Sequence, residues 1–567
     1  MKELSHKAPW AIYYNDDAFI AKDGRLMGRH AAGSAYLRAI AQDQFSEVAA
    51  LLRNNNEREN FINLFQSFIP KDKKIDLLMY PWDKPYLSDE FGGIFIGDPQ
   101  IGNFSILRSN FGHNSYSIVG ITHTTMSRNI IDFIGDLITK PTQEWDALIC
   151  TSNCVKDTVE TLIKDFTIGL KERFEIQELK LPEFPIIPLG VHDEDFNFSD
   201  KEKFDLRESL GIDPEDIALI FVGRLSFHAK AHYFPMYKSL QEVAKKNKGK
   251  KKIHLLQVGW FANDYIKSLF QKDADLICPD IQCHFIDGLN QKNKNLILSS
   301  SDIFISLTDN FQETFGLTPL EGMAAGLPVI VTDWDGYRDT VRNNQDGFRI
   351  PTLSLKTGQS DDLSYFYHSN ITNYDQYISY ASQRVSVDIK KTIQKIDELV
   401  KNNDLRKKMG ANGKSRVKNN YSWKVILNSY SDLRNHLNEK RNFSNLNKNT
   451  FNYIKAFDPN NLFKSYPSET LGENHVISYK KKELLEESHY LFTSKSIKIS
   501  QDINNLDTKY LKLDVNIDVV NSILKVLIDN DSEMNKIYSL LKFSKNEINK
   551  TVIMMLKFDI IDLVEVE

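Results

Sequence analysis

The sequence predicts an α/β protein built from two doubly wound parallel-sheet domains, followed by a small, mostly helical module. Three observations carry this. The chain has 567 residues, more than one hydrophobic core supports. Short apolar runs alternate with helix-length stretches, the signature of strand–helix–strand units in parallel sheets. That alternation stops after Leu437, and a compact helical pattern returns only near Val519.

In residues 1–200, Leu77-Leu78-Met79-Tyr80, Ile94-Phe95-Ile96, Ile118-Val119 and Ala147-Leu148-Ile149-Cys150 read as buried strands separated by Gly, Pro and Asn, with a helix over Cys154 to Asp165. Polar residues from Asp193 to Glu208 mark the joint between the halves. In residues 201–415 the strands are Ile217 to Val222, Ile253 to Val258, Cys283 to Ile286, Ile303 to Leu307 and Val329 to Val331. Helices are expected at Tyr233 to Lys246, Asn293 to Leu298 and Pro319 to Ala325. Val385 to Leu437 reads as mostly helical.

Residues 441–500 are rich in Asn, Lys and Ser and read as a linker or irregular subdomain. Residues 501–567 hold three helix patterns, Val520 to Ile528, Met534 to Leu541 and Lys545 to Leu556, then the apolar Ile560 to Val564, a winged-helix-like order. From Ile503 onward eight Lys face eleven Asp plus Glu with no Arg, which argues against nucleic acid as a partner and for docking or homo-oligomerisation.

Hydrophobic residues make up 41% and charged residues 26%, the balance of a soluble globular protein. The 71 Lys plus Arg against 76 Asp plus Glu leave a net charge of −5, which gives no general attraction to polyanions. No apolar run approaches the roughly 18 residues of a membrane helix, and Met1 to Asn15 lacks the apolar core of a secretion signal. A cytoplasmic location is expected. Cys150, Cys154, Cys278 and Cys283 lack a zinc-knuckle setting and are read as reduced thiols, with no metal site.

The passage from Ser306 to Pro328 carries the chemistry. A buried strand ends, a polar loop with Glu313 follows, and Gly316 lets the backbone approach a ligand above the sheet. Thr318 suits an N-cap and Pro319 the first helical position, and the free amides there favour a phosphate. Thr318 to Glu321 can also be read as a capping box, in which Glu321 only bonds amides. A second constellation is Gly223-Arg224 with Lys230, where the first strand of the second half runs into a loop. Arg offers a planar fork and Lys a point charge, and together they suit a diphosphate.

Gly223-Arg224, Lys230, Glu313 with seven intervening residues before Glu321, and Gly326-Leu327-Pro328-Val329 together resemble the retaining nucleotide-sugar glycosyltransferases of family four, whose fold is GT-B, two Rossmann-like domains facing a cleft. The resemblance runs from about Gly28 to Leu437 and is strongest between Ile217 and Ile350. It implies that Arg224 and Lys230 grip the donor diphosphate with Gly223 beside them, and that amides around Phe315, Gly316 and Leu317 complete the phosphate site. It also implies that Glu321 holds the ribose and that Glu313 contacts the donor sugar. In the first half it implies a sugar-lining His123. The loop Gly28 to Ser34, with Gly33, resembles the family's glycine-rich segment that meets donor and acceptor. Residues 416–440 correspond to the helix that returns to the first domain. Lys230 is followed by Ala231 where glycine is usual, Glu321 by Gly322 where alanine is usual, and His192 stands where an acidic residue is common.

The resemblance implies transfer of a sugar from a nucleotide-diphosphate donor to a glycan or glycolipid hydroxyl, with retention and without cofactor or metal, in glycan, surface-polysaccharide or glycolipid synthesis. A peripheral position at the inner face of the membrane goes with such acceptors. Competing readings are a non-catalytic nucleotide-sugar-binding scaffold, a GT-B-like epimerase, and a metal-dependent transferase using the acidic pair of Asp333-Trp334-Asp335.

Overall fold

The computed structural model describes residues 8–20, 28–175, 179–247, 251–444, 458–480, 516–528 and 530–564. The chain divides into two compact units, Met1–Ile454 and Lys455–Glu567.

The first unit contains two six-stranded sheets. In the first, β1 (Ala11–Tyr13), β2 (Glu47–Leu52), β3 (Asp76–Pro81), β4 (Gly93–Ile96), β5 (Ser117–Ile121) and β6 (Ala147–Ile149) lie in the order β3-β2-β1-β4-β5-β6. All neighbours are parallel, with Ile12 beside Ala50 and Phe95. The second sheet repeats the plan. Here β7 (Ile217–Val222), β8 (Ile253–Gly259), β9 (Gln282–Asp287), β10 (Ile303–Ser306), β11 (Val329–Thr332) and β12 (Gly347–Ile350) are ordered β12-β11-β10-β7-β8-β9, again all parallel. Central strands such as β7 are buried along their whole length, because helices cover both faces and every side chain meets an apolar layer. The edge strands β3 and β9 are partly exposed, with Asp76 and Pro81 at the ends of one and Gln282 and Asp287 at the ends of the other facing solvent.

Strand order reverses between β1 and β4 in one sheet and between β7 and β10 in the other. Loops leaving the carboxyl ends of those strands diverge to opposite faces, and this opens a crevice in each domain at the position where open α/β sheets generally bind ligands.

A buried ion pair staples the first domain. Arg108 donates to both oxygens of Asp146 at 2.5 and 2.7 Å, and Asp146 also accepts the Ile118 amide at 2.9 Å, fixing the start of β5. The helix Trp423–Asn442 crosses back onto this domain: Val191 N donates to the Tyr421 carbonyl at 2.8 Å, and the Tyr430 ring packs 5.4 Å from Tyr36 and 5.9 Å from Trp10. Gly190 makes the crossing possible, since a Cβ there would lie 2.4 Å from the Trp423 ring.

An antiparallel stalk of β13 (Thr352–Ser354) and β14 (Val385–Val387) leaves the second domain and carries two helices, Asp361–His368 and Tyr374–Ser382. Val385–Val387 is thus a strand at the start of a stretch whose sequence reads as mostly helical.

The second unit is built on an antiparallel sheet of β15 (Val476–Tyr479), β16 (Ser532–Glu533) and β17 (Ile561–Val564), ordered β16-β15-β17. Helices Ile517–Leu527, Met534–Leu540 and Lys545–Lys557 complete it, around a core with Ile477, Ile523, Ile537 and Val552. Its central strand comes from residues 476–479, inside the span that reads as a linker or irregular subdomain. Residues 445–457 and 481–515, which hold much of that span and the start of the 501–567 module, lie outside the described residues. Among the described residues no helix is long and apolar enough to cross a membrane.

Candidate functional site

The second sheet's crevice is built from the ends of β7 and β10. Just past β7, Gly223 adopts a φ of 149°, a conformation that favours glycine, and a Cβ would crowd Lys230 Cε at 3.3 Å. The loop that follows is sewn to the loop after β10. Thr308 Oγ1 donates to the Lys230 carbonyl at 2.6 Å, Asn310 Nδ2 to the His228 carbonyl at 2.9 Å, and Gln312 Nε2 to the Ala229 carbonyl at 3.3 Å. Arg224 Nη2 donates to that same Ala229 carbonyl at 2.8 Å. These bonds bring Arg224, Lys230 and Glu313 together.

Lys230 Nζ donates to Glu313 Oε2 in a largely buried ion pair. Burial alone would raise the Glu313 carboxyl, but the Lys230 charge and hydrogen bond outweigh it and hold the group below the ordinary carboxylate range. Arg224 has no carboxylate within ion-pair distance among the described residues, and burial lowers its pKa while the nearby Asp375 charge opposes the shift. The Arg224 guanidinium keeps its charge and offers unfilled donors.

Gly316 forms the turn between Glu313 and the helix Leu317–Ala324. Its φ is 81°, and a Cβ would meet the Tyr337 ring at 2.0 Å. Gly336 interlocks from the other side, where a Cβ would strike Phe315 Cα at 2.4 Å. Tyr337 is fully buried under this turn, with its hydroxyl 3.0 Å from Ser306 Oγ and donating to Glu313 Oε2 at 3.4 Å.

The expected cap is not formed. Gly316, not Thr318, is the N-cap, and Pro319 is the third helical residue, two positions deeper than expected, because the left-handed glycine starts the helix at Leu317. Thr318 Oγ1 is buried without a hydrogen-bond partner. The capping box is absent too: Glu321 Oε1 accepts from Lys294 Nζ at 2.7 Å, and Glu321 Oε2 is buried with no partner. The side chain of Phe315 turns into the core, 6.4 Å from the Tyr421 ring, so only its backbone borders the crevice.

The acidic pair behaves differently. Asp333 is flanked by Arg349 at 3.3 Å and Arg338 at 3.9 Å. Burial first, then the Glu313 charge, pushes the Asp335 carboxyl up to about 8, so it is protonated at neutral pH. Asp335 sits at a φ of 41°. Two carboxylates so occupied are poorly prepared to hold a divalent cation.

In the first domain, Gly33 and His123 line one cavity at the β1/β4 reversal, with Phe19, Arg29, Tyr36 and Gly97. His123 Nε2–H donates to the Gly97 carbonyl at 2.8 Å, and burial lowers its pKa, which leaves a neutral ring with Nδ1 free to accept. Gly33 corrects the sequence reading: Gly28–Gln42 is a helix, so the Gly28 to Ser34 stretch is its first two turns and not a loop. Alanines on either side favour helix, and Gly33 is needed where a Cβ would meet the Ala18 carbonyl at 2.5 Å. Gly33 and His123 thus pair in one domain, while Gly223, Arg224, Lys230, Glu313, Gly316, Leu317 and Glu321 gather in the other. The domains touch beside Glu313, where Ser152 Oγ donates to the Thr314 carbonyl at 2.8 Å and Asn153 N to Asp339 Oδ2 at 2.7 Å.

Lys294 and Tyr337 escaped the sequence reading. Lys294 is one of two lysines, with Lys292, in the polar first half of the helix Gln291–Ser299. Tyr337 follows Gly336, the one local hint of close packing.

Residues 202–385 match the family model of glycosyl transferases group 1, the segment that holds the second sheet and its crevice. An uncharacterized glycosyltransferase of Methanocaldococcus jannaschii is 24% identical over 156 residues, 28% of this chain and 37% of that protein. The alpha-1,3/1,6-mannosyltransferase ALG2 of Rhizomucor pusillus is 33% identical over 73 residues, 13% of this chain and 16% of that protein. The chain thus spans well under half the length of either relative. Among solved structures, Anabaena HepE in complex with UDP and glucose aligns with 75% of this chain and 100% of its own, at 13% identity and a TM-score of 0.46. The two parallel sheets and the family match agree with the GT-B glycosyltransferase resemblance carried by Gly223-Arg224, Lys230, Glu313 and Glu321.

Proposed function

We propose that the chain is a retaining, metal-independent glycosyltransferase that moves a sugar from a nucleotide-diphosphate donor to a hydroxyl of a glycan or glycolipid acceptor. One observation carries the reading: Arg224 and Lys230 stand together beyond the carboxyl ends of β7 and β10, and Lys230 is paired with Glu313, three residues before the Gly316 turn that starts a helix. The diphosphate charge that grows as the sugar departs is then met by a guanidinium, an ammonium and the amides at Gly316 and Leu317, with no metal required.

Glu313 serves as the resting counter-ion of Lys230 and, once the donor phosphates take over that role, as an acceptor for sugar hydroxyls. The acceptor hydroxyl attacks the anomeric carbon from the leaving-group face and passes its proton to a donor phosphate oxygen, so no protein nucleophile is used. His123, neutral and with Nδ1 free, accepts a hydrogen bond from the donor sugar. Gly33, where the first domain's helix closely approaches Ala18, leaves room for donor and acceptor at that cavity. The position is cytoplasmic, with peripheral contact at the inner face of the membrane when the acceptor is a lipid, and the second unit docks a protein partner or another copy.

The test is a panel of labelled nucleotide-sugars incubated with the purified chain. The reading expects release of nucleoside diphosphate from at least one donor, a product with the donor's anomeric configuration, undiminished turnover in chelator, and about a hundredfold or greater loss in Arg224→Ala. An isomerised free sugar, or no reaction and no binding with any donor, overturns it.

A further inference from the structure

Two of the four cysteines meet. Cys278 caps the carboxyl end of the helix Asp264–Ile277 and Cys283 is the second residue of β9, with their sulfurs 3.9 Å apart and not bonded. The turn between them is held from outside. Gln241, buried on the helix Tyr233–Lys246, accepts the Asp280 amide on Oε1 at 3.1 Å and donates through Nε2 to Asp280 Oδ2 at 2.7 Å, while Ile281 N donates to the Cys278 carbonyl at 3.0 Å. A fixed turn keeps the two thiols at a high effective concentration toward each other. The strand that carries Cys283 is an edge strand, hydrogen-bonded in its sheet to β8 alone. In the first domain, by contrast, Cys150 is buried with its sulfur 3.7 Å from the Leu148 carbonyl.

We propose that Cys278 and Cys283 are a reversible dithiol–disulfide couple, oxidised by low-molecular-weight disulfides, that pins the end of the helix Asp264–Ile277 to the edge strand β9. The inference is independent of what the crevice binds. A sulfur–sulfur bond of about 2.05 Å lies within the arc a sulfur sweeps as its side chain turns about Cα–Cβ. Cys278 is 1% exposed and Cys283 is the more open of the two, so Cys283 attacks first. Its thiolate bonds to one sulfur of the incoming disulfide, the S–S bond of that disulfide breaks, and the other half leaves as a thiolate that takes up the Cys283 proton. Cys278 is the resolving group. Its hydrogen bond with Cys283, and then burial, raise its pKa, so it stays protonated until the mixed disulfide forms beside it. Its sulfur then attacks Cys283 Sγ, and the second half departs with the Cys278 proton. The protein dithiol is oxidised to a disulfide as one small disulfide is reduced to two thiols.

The experiment incubates the full chain with excess glutathione disulfide, quenches with acid, unfolds the protein and alkylates the thiols that remain. The couple predicts that the four thiols fall to two, that the peptide holding Cys278 and Cys283 loses two hydrogens and carries no glutathione, and that dithiothreitol restores all four. Cys278→Ser is expected to stop at a glutathione adduct on Cys283, and Cys283→Ser to leave Cys278 unmodified. In the oxidised chain, amide exchange across residues 278–285 is expected to slow by about tenfold or more relative to the reduced chain, with residues 217–222 unchanged. Four thiols after incubation, a lasting glutathione adduct on wild-type Cys283, or a disulfide that includes Cys150 or Cys154 overturns the couple. Equal exchange at residues 278–285 in the two forms overturns the pinning. The wild-type thiol count decides even where a variant does not fold.

Discussion

Lys230 and Glu313 neutralise each other in a crevice that water barely enters, and this makes each residue's loss more than the loss of one contact. In Lys230→Met a buried carboxylate is left uncompensated, so activity should fall about a hundredfold or more, whereas Glu313→Gln should fall less, because Lys230 stays free to meet phosphate. Initial rates of donor turnover check the order. Asp335 gives a pH prediction. Its carboxyl is pushed up to about 8 in the folded chain, above the value near 3.8 of an unfolded one, so between those pH values the folded state binds more protons. This group's contribution is complete below the unfolded value and is lost as pH rises through about 8. Asp335→Asn, which tolerates the left-handed φ, should therefore gain in unfolding free energy relative to wild type from pH 6 to about pH 8, by at most about 1.4 kcal/mol per pH unit, and level off above that, as denaturant unfolding at each pH would show. Arg224, Lys230 and Glu313 were legible because strand ends and spacing flagged them. Lys294 was not, because only the helix register in three dimensions distinguishes it from Lys292.

At the scale of elements, the Gly316 turn depends on the Tyr337 ring that fills the place of its side chain. Gly316→Ala should cost about 3 kcal/mol or more in denaturant unfolding, from the 2.0 Å clash together with the positive φ. Arg128 of the first domain grips the helical hairpin on β13 and β14. Arg128 donates to the Tyr367 and His368 carbonyls at 2.5 and 2.9 Å, its guanidinium lies 5.3 Å from the Tyr367 ring centroid, and Tyr367 OH accepts its backbone amide at 3.2 Å. Arg128→Ala should raise hydrogen exchange across residues 361–382 and leave residues 423–442 unchanged. Strands such as Ile217–Val222 were readable because burial on both faces demands unbroken apolar runs. The hairpin was not, since its helices are short, polar and held by long-range contacts. Gly28–Gln42 was misread for a related reason, as glycine at close approach looks the same in a helix as in a loop.

For the whole molecule, the sequence conveyed a repeated α/β plan, because each half alternates apolar runs with amphipathic ones, while the strand order came only with the coordinates. The staple between Arg108 and Asp146, 38 residues apart, was invisible for the same reason. Both groups are fully buried, so Asp146→Ala should cost about 3–5 kcal/mol and unfold the first domain at lower denaturant than Arg207→Ala, whose partner Asp302 is partly exposed, destabilises the second. The central claim joins these scales: two cations and a helix start in one domain hold a diphosphate. A crystal structure of the full chain soaked with the tightest-binding nucleoside diphosphate tests it most directly. The account predicts phosphate oxygens within about 3 Å of Arg224, Lys230 and the amides at Gly316 and Leu317, with Glu313 released from Lys230. Phosphates bound elsewhere, with the Lys230–Glu313 pair undisturbed, would contradict it.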